Sequence, residues 1–138
     1  MLIVVDANRL YSSLLSKGKT FKVFLRNAIS RKFEFIAPDF IFFEIGKHMD
    51  DIVLRSKLSR EELAGVFSFI KEQVKTLPFK EFNSYAAEAE SLAPHEKDVQ
   101  YFALALAAKS PIWSQEKSFL KQSKIKILDT DRLLKELE

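Results

Sequence analysis

Four of the 19 acidic residues in this sequence stand out by their neighbours: Asp6, Glu44, Asp98 and Glu116. Asp6 ends the apolar run LIVV and is followed two residues later by Asn8. Glu44 is the sole polar residue in FIFFEI, residues 40–45. Asp98 opens the most apolar stretch of the chain, within EKDVQYFALALAA. Glu116 follows PIWS and Gln115. Three of these have a local alternative: Asp6 can cap a helix starting at Ala7, and Asp98 and Glu116 can sit in first helical turns, where the helix dipole favours negative charge. Glu44 has no such alternative, because a lone carboxylate among phenylalanines in mid-helix is costly unless it is paired or bound to a cation. Four carboxylates gathered in one cleft would need a compensating charge, and hard oxygen ligands favour Mg2+ or Mn2+. Such a site activates water and steadies a phosphoryl transition state. The constellation points to metal-dependent phosphodiester chemistry.

Other chemistries find little support. The two histidines, His48 and His95, are far apart in sequence and show no HExxH spacing, which argues against a zinc hydrolase. No glycine-rich loop suggests a P-loop or a dinucleotide site. A D-x-D phosphatase motif would need a second Asp where Asn8 stands. With no cysteine there is no disulfide framework, no thiol nucleophile and no Cys zinc site, which fits a reducing, cytoplasmic setting.

The elements that must position the acids alternate between strand and helix. Leu2–Val5 is predicted as a buried strand, and residues 7–16 as a helix ended by Lys17-Gly18-Lys19. A second helix covers residues 20–32, with Phe21, Phe24, Leu25, Ala28 and Ile29 at helical spacing. Phe33–Ala37 reads as a strand. Pro38 is expected in the first turn of a helix carrying the stripe Phe42, Ile45, Met49 and Ile52. Ser59-Arg60-Glu61-Glu62 has the capping-box pattern and starts a helix to about Val74. A strand over Thr76–Phe79, a short helix over Ser84–Leu92 stopped by Pro94, and a deeply buried helix over Glu96–Ala108 follow. Strands at Pro111–Ser114 and Lys124–Leu128, a short helix at Glu116–Lys121 and a closing helix at Thr130–Leu137 complete the pattern. Strict alternation predicts one domain over residues 1–138, a three-layer α/β/α unit with a mostly parallel four- or five-stranded sheet. In such a sheet, ligands collect at the carboxyl ends of the strands.

The length of 138 residues suits a single domain with its own core. The net charge of +3 is unevenly spread: +5 over residues 1–37, −4 over 38–108 and +2 over 109–138. Basic ends beside an acidic middle suit a polyanion held near bound cations, and ordinary surface scatter gives the same sums. The opening MLIVVDANRL has no basic leader region, and no segment reaches the roughly 20 apolar residues of a membrane span. The expectation is a cytoplasmic protein with no membrane partner.

The motifs VVDAN, PDFIFFEI, DVQYFALALA and IWSQEKSF, in this order, resemble the PIN domain family over essentially the whole chain. That family includes VapC-type ribonuclease toxins of bacterial and archaeal toxin–antitoxin pairs, and the ALALA-then-IWS wording is most similar to single-domain members. The resemblance implies that Asp6, Glu44 and Asp98 match the family's first three acids and Glu116 the position usually held by a fourth Asp. Asn8 matches a polar residue often found after the first acid, and Ser114 the Ser/Thr that helps orient the site. It also implies Mg2+ or Mn2+ and hydrolysis of RNA by activated water, without a covalent intermediate. Glu116 is one methylene longer than the usual Asp, and Ser118 stands where a further acid is frequent. Glu96 is read as a solvated first-turn acid or a partial substitute. This departure keeps a second reading in play, a PIN-fold binding or scaffold protein with weak or no catalysis.

Arg9 lies one helical turn beyond the first strand, and Lys117 and Lys121 follow Glu116 at i, i+4 spacing, so the three are candidate phosphate contacts or plain surface cations. Thirteen phenylalanines fill a core and leave candidates for exposed anchors at Phe67, Phe69 and the Phe40–Phe43 cluster. A homodimer and an antitoxin are the protein partners expected from these features and from the resemblance.

Overall fold

A computed structural model describes residues 1–15 and 18–138; Ser16 and Lys17, where the first helix was expected to end, lie outside the described residues. The first strand, β1 (Leu2–Val5), is followed by α1 (Ala7–Leu15) and α2 (Lys19–Ser30). Then come β2 (Glu34–Pro38), α3 (Phe40–Lys47), α4 (Met49–Ser56), α5 (Arg60–Gln73) and β3 (Val74–Leu77). Two single 3-10 turns lead into α6 (Ala86–Leu92), and a third, Glu96–Asp98, runs into α7 (Val99–Ala108). The chain closes with β4 (Ile112–Trp113), a 3-10 helix at Lys117–Lys121, β5 (Ile127–Leu128) and α8 (Thr130–Glu136).

The five strands form one sheet in the order β3-β2-β1-β4-β5, and each neighbouring pair is parallel. Ile3, Val4 and Val5 have no exposed surface, as expected of a central strand covered on both faces. On one face, Phe24 of α2 packs against Phe35 of β2 at 5.2 Å and Trp113 of β4 at 5.3 Å between ring centroids. On the other, α7 lies across β1, β2 and β4 and packs beside α6. The expected three-layer architecture with a five-stranded parallel sheet is therefore present. After β3 the chain returns across the sheet and lays β4 on the far side of β1. Between β1 and β4 the strand order reverses, and that switch point opens a crevice at the carboxyl ends of the two strands.

The sequence reading differs from the fold in several places, beginning with the third strand, which runs Val74–Leu77 instead of Thr76–Phe79 and leaves Phe79 to a 3-10 turn. Pro38 is the last residue of β2 instead of the first turn of a helix; its missing N–H falls on the β1 side, beyond the last pair Val4 with Ile36, while Asp39 N–H continues the β3 ladder to the Leu77 carbonyl at 2.9 Å. The helix beyond it is broken at His48, whose backbone leaves helical geometry at φ −104°, ψ 11°. The expected stripe through Phe42 and Met49 accordingly gives way to buried Ile41, Ile45 and Ile52. The expected exposed aromatics also pair inward: Phe40 with Tyr101, Phe42 with Phe67 and Phe69 with Phe21, which leaves Phe43 as the exposed member, 67% accessible. At Ser59 both halves of the capping box form, with Glu62 N–H donating to Ser59 Oγ at 3.0 Å and Ser59 N–H to Glu62 Oε1 at 3.2 Å.

Candidate active site

Strand β1 delivers Asp6 to the switch point. Val4 and Val5 pair with Ile112 and Trp113, and Asp6 N–H extends this ladder by donating to the Trp113 carbonyl at 3.2 Å. The next residue of each strand therefore meets the other: Ser114 Oγ donates to Asp6 Oδ2 at 2.8 Å, and both side chains are buried. Glu116 N–H donates back to Ser114 Oγ at 3.0 Å, and the Asn8 side-chain amide donates to Glu116 Oε1 at 2.9 Å. Asp6, Asn8, Ser114 and Glu116 form one hydrogen-bonded set across the two strand ends. Asp6 Oδ1 also accepts a long 3.4 Å bond from Asn8 N–H, so the carboxylate partly caps α1 as well.

Electrostatics extend the set to Asp98. Asp6 is 4% exposed, and burial raises its pKa against the lowering effects of the Ser114 and Asn8 hydrogen bonds and Arg9, with Glu116 adding to the rise. Burial likewise pushes Asp98 up to about 6, assisted by the negative charges of Asp6 and Glu116 and opposed by His95. Asp98 sits at the N-terminus of α7 without making a side-chain cap hydrogen bond, so its carboxylate is not used up as a helix cap. Glu116, before the 3-10 helix, makes no cap bond either. Burial together with neighbouring negative charge thus disfavours ionisation of Asp6 and Asp98 at one strand end.

Glu44 stands differently from its sequence expectation. Its side chain is 42% exposed and meets Lys47 at 3.7 Å, so the burial argument that singled it out does not apply. Lys47 lies over the neighbouring Phe43 ring, 4.7 Å from its centroid. Glu44 joins the other acids through Tyr101, whose hydroxyl feels Asp6, Glu44 and Asp98 together. Tyr101 was read from the sequence only as part of an apolar helix. Its signal was its spacing, three residues after Asp98 and hence on the same helical face.

Arg9 is more interior than a rim residue. It is half-buried, with Nη1 3.5 Å from Thr20 Oγ1 and Nε enclosed without a partner among the described residues. Burial lowers its pKa while Asp6 and Glu116 raise it, so it serves as an internal counter-charge to the acids. Lys117 and Lys121 are exposed, but they belong to a 3-10 helix. At three residues per turn Lys121 points about 120° away from Lys117, so the shared face expected from i, i+4 spacing is not formed.

The donor set, all carboxylate oxygen, fits Mg2+ or Mn2+ chemistry. With the side chains as they stand, no three His, Asp or Glu among the described residues lie close enough to hold a metal ion. Glu116 is turned toward Asn8 and Asp6 toward Ser114. A cleft of about 940 Å3 elsewhere, bordered by Asn27, Phe35, Gln73, Val74 and Leu104, is lined by none of the four acids. Chemistry, not cavity size, therefore selects the strand-end cluster as the candidate site.

The family model described as PIN domain matches residues 4–138. No curated protein matches the chain. Among solved structures, the chain is similar to one in the crystal structure of VapBC2 from Rickettsia felis bound to a DNA fragment from their promoter. The TM-score is 0.69 at 12% sequence identity, over 94% of this chain and 98% of that one. At that identity the likeness shows the fold.

Proposed function

The chain belongs to the PIN domain family, and on that premise we propose that it is an endoribonuclease that uses Mg2+ or Mn2+ to hydrolyse phosphodiester bonds of RNA. The observation that carries this reading is the hydrogen-bonded set of Asp6, Ser114, Glu116 and Asn8 at the β1–β4 switch point, whose two acids also raise the pKa of Asp98 after burial. These three, with Glu44 from α3, would hold the cation. When bound, Mg2+ or Mn2+ lowers the pKa of a water and offsets charge on the phosphodiester oxygens.

The chain's own residues supply the rest. Ser114 fixes the rotamer of Asp6, and Asn8 orients Glu116. Arg9 balances part of the acids' charge from beneath. Asp98, which burial and its acidic neighbours push up to about 6, would be kept ionised by the cation it helps to hold. Lys117, exposed and next to Glu116, would meet phosphates of the RNA. An RNA panel incubated with either metal tests the reading; cleavage that survives Asp6→Asn combined with Asp98→Asn would refute it.

The second reading, a PIN-fold binding or scaffold protein, draws on the orientation of Glu116 toward Asn8 and the absence of a ready-made three-acid cation site among the described residues. Calorimetric titration with Mn2+ separates the two, since only the enzyme requires uptake. For a protein partner, the exposed Phe43 on α3 and Leu54 on α4, 67% and 79% accessible, offer apolar surface. An antitoxin, as the VapBC2 likeness suggests, or a second copy of the chain would cover it. We expect a homodimer in isolation; a monomeric mass in sedimentation at tens of micromolar, roughly, would contradict that. No helix among the described residues is long and apolar enough to cross a membrane.

A further inference from the structure

Tyr101 has no part in the mechanism above, yet its placement is hard to explain by packing. The side chain is 3% exposed, and its hydroxyl is enclosed without a hydrogen-bond partner among the described residues. The ring is held edge-on against Phe40 of α3, 5.6 Å between centroids, while its own helix lies against β1, β2 and β4. A phenylalanine would make the same ring contacts and avoid the cost of an unsatisfied buried hydroxyl. Packing alone therefore does not explain the oxygen.

What surrounds it gives the oxygen a use. After burial itself, the groups that raise the Tyr101 pKa are Asp6, Glu44 and Asp98, from the end of β1, from α3 and from the start of α7. These acids can only accept hydrogen bonds when ionised, and the phenol keeps its proton throughout the neutral range, so it is a permanent donor among acceptors. It is also the feature that links Glu44 to the other acids, since Glu44 does not contribute to the shifts of Asp6 or Asp98.

We infer that Tyr101 is a positioning residue whose hydroxyl donates a hydrogen bond to the site carboxylates when a divalent cation is held there, and so orients them for it. The inference rests on the metal-dependent reading proposed above. A carboxylate that holds the cation would be the acceptor for a phenol that has no other partner among the described residues. Such a hydrogen bond would orient the carboxylate and add to cation affinity.

Tyr101→Phe removes the oxygen and keeps the ring against Phe40, so the variant is expected to fold. Mn2+ binding by calorimetry and metal-free thermal melting of both proteins give the test. The expected result is a metal-free variant that melts no lower than the parent and binds Mn2+ about tenfold or more weakly, the cost usual for lost hydrogen bonds to metal ligands. RNA cleavage should show a reduced kcat with little change in KM. Mn2+ affinity within twofold of the parent would overturn the inference and leave the metal reading standing. A clear loss of metal-free stability would also overturn it, since the hydroxyl would then have a structural partner. A parent protein that takes up no Mn2+ would overturn both.

Discussion

The Asn8 side-chain amide donates to Glu116 Oε1 at 2.9 Å, joining residues 108 apart in the chain. Beside it runs a second tie of equal span, Ser114 to Asp6, and Glu116 N–H on Ser114 Oγ links the two. The acid that ends β1 and the acid that follows β4 are thus oriented by one network, each through a neutral partner from the opposite strand end. A longer acid at position 116 is consistent with this arrangement, because the extra methylene extends the reach of its carboxylate toward Asn8.

Asp6→Asn should lower RNA cleavage by at least about 100-fold, the upper range for perturbing a metal site even indirectly. The same change should leave thermal stability at pH 7 unchanged or raised, because the amide oxygen can still accept from Ser114 and a buried charge is removed. Loss of stability with activity retained would contradict the assignment.

Asp98 gives stability a pH dependence with a definite sign. Its folded pKa of about 6 lies above the ordinary carboxyl value, so between these limits the folded protein binds more protons than the unfolded chain. The stability this group contributes is full below about pH 4 and is lost as pH rises through about 6. Metal-free melting temperatures at pH 5 and 7 should differ less in Asp98→Asn than in the parent. Mn2+ affinity should move oppositely, falling by up to about tenfold per unit below pH 6 as the acid takes up its proton.

Asn27 tests the frame instead of the site. Its side chain is buried at the end of α2, accepting from Phe33 N–H at 2.8 Å and donating to the Phe33 carbonyl at 2.9 Å. Arg31 in left-handed geometry, φ 53°, turns the chain between them. Asn27→Ala strands both Phe33 backbone groups and should cost about 2–4 kcal/mol in denaturant unfolding, from two unmade buried hydrogen bonds. A cost within 0.5 kcal/mol, roughly the surface-substitution range, would show that water replaces the side chain.

RNA binding should weaken with salt, and Lys117→Ala should make the slope of log affinity against log salt shallower by about 0.7 for one lost phosphate contact. Lys121→Ala should leave the slope alone, because the 3-10 geometry turns that side chain away from Lys117. Equal effects from the two variants would refute the difference in facing.

The elements whose local signals agree were legible in the sequence: the buried β1 run, the Ser59 capping box and the alternation that implied a parallel sheet. Asp6 and Asp98 could be singled out because each marks the junction of an apolar strand or helix with the sheet end. Glu44 was singled out on the wrong ground, since its phenylalanine neighbours pair with Phe67 and Tyr101 or lie on the surface and leave the carboxylate half in water. The helix break at His48 carries no proline, and its one local signal is Gly46 in the last turn of α3. It coincides with tertiary contacts, Tyr11 edge-on to the His48 ring at 6.1 Å and hydrogen-bonded to Asp51 at 2.6 Å, which no local pattern reveals. The role of Arg9 as a counter-charge was hidden for the same reason: one of the two acids it faces, Glu116, lies far along the chain.

The strand order places the first strand made at the centre of the sheet, with one of its flanks supplied only by residues 112–113. During synthesis, Asp6 leaves the ribosome more than a hundred residues ahead of Ser114 and Glu116, and Asp98 follows late. A nascent chain therefore has no assembled acid cluster until residues 114–116 have emerged. Any fragment that stops short of residue 112 carries Asp6 without the Ser114 and Glu116 that share its network.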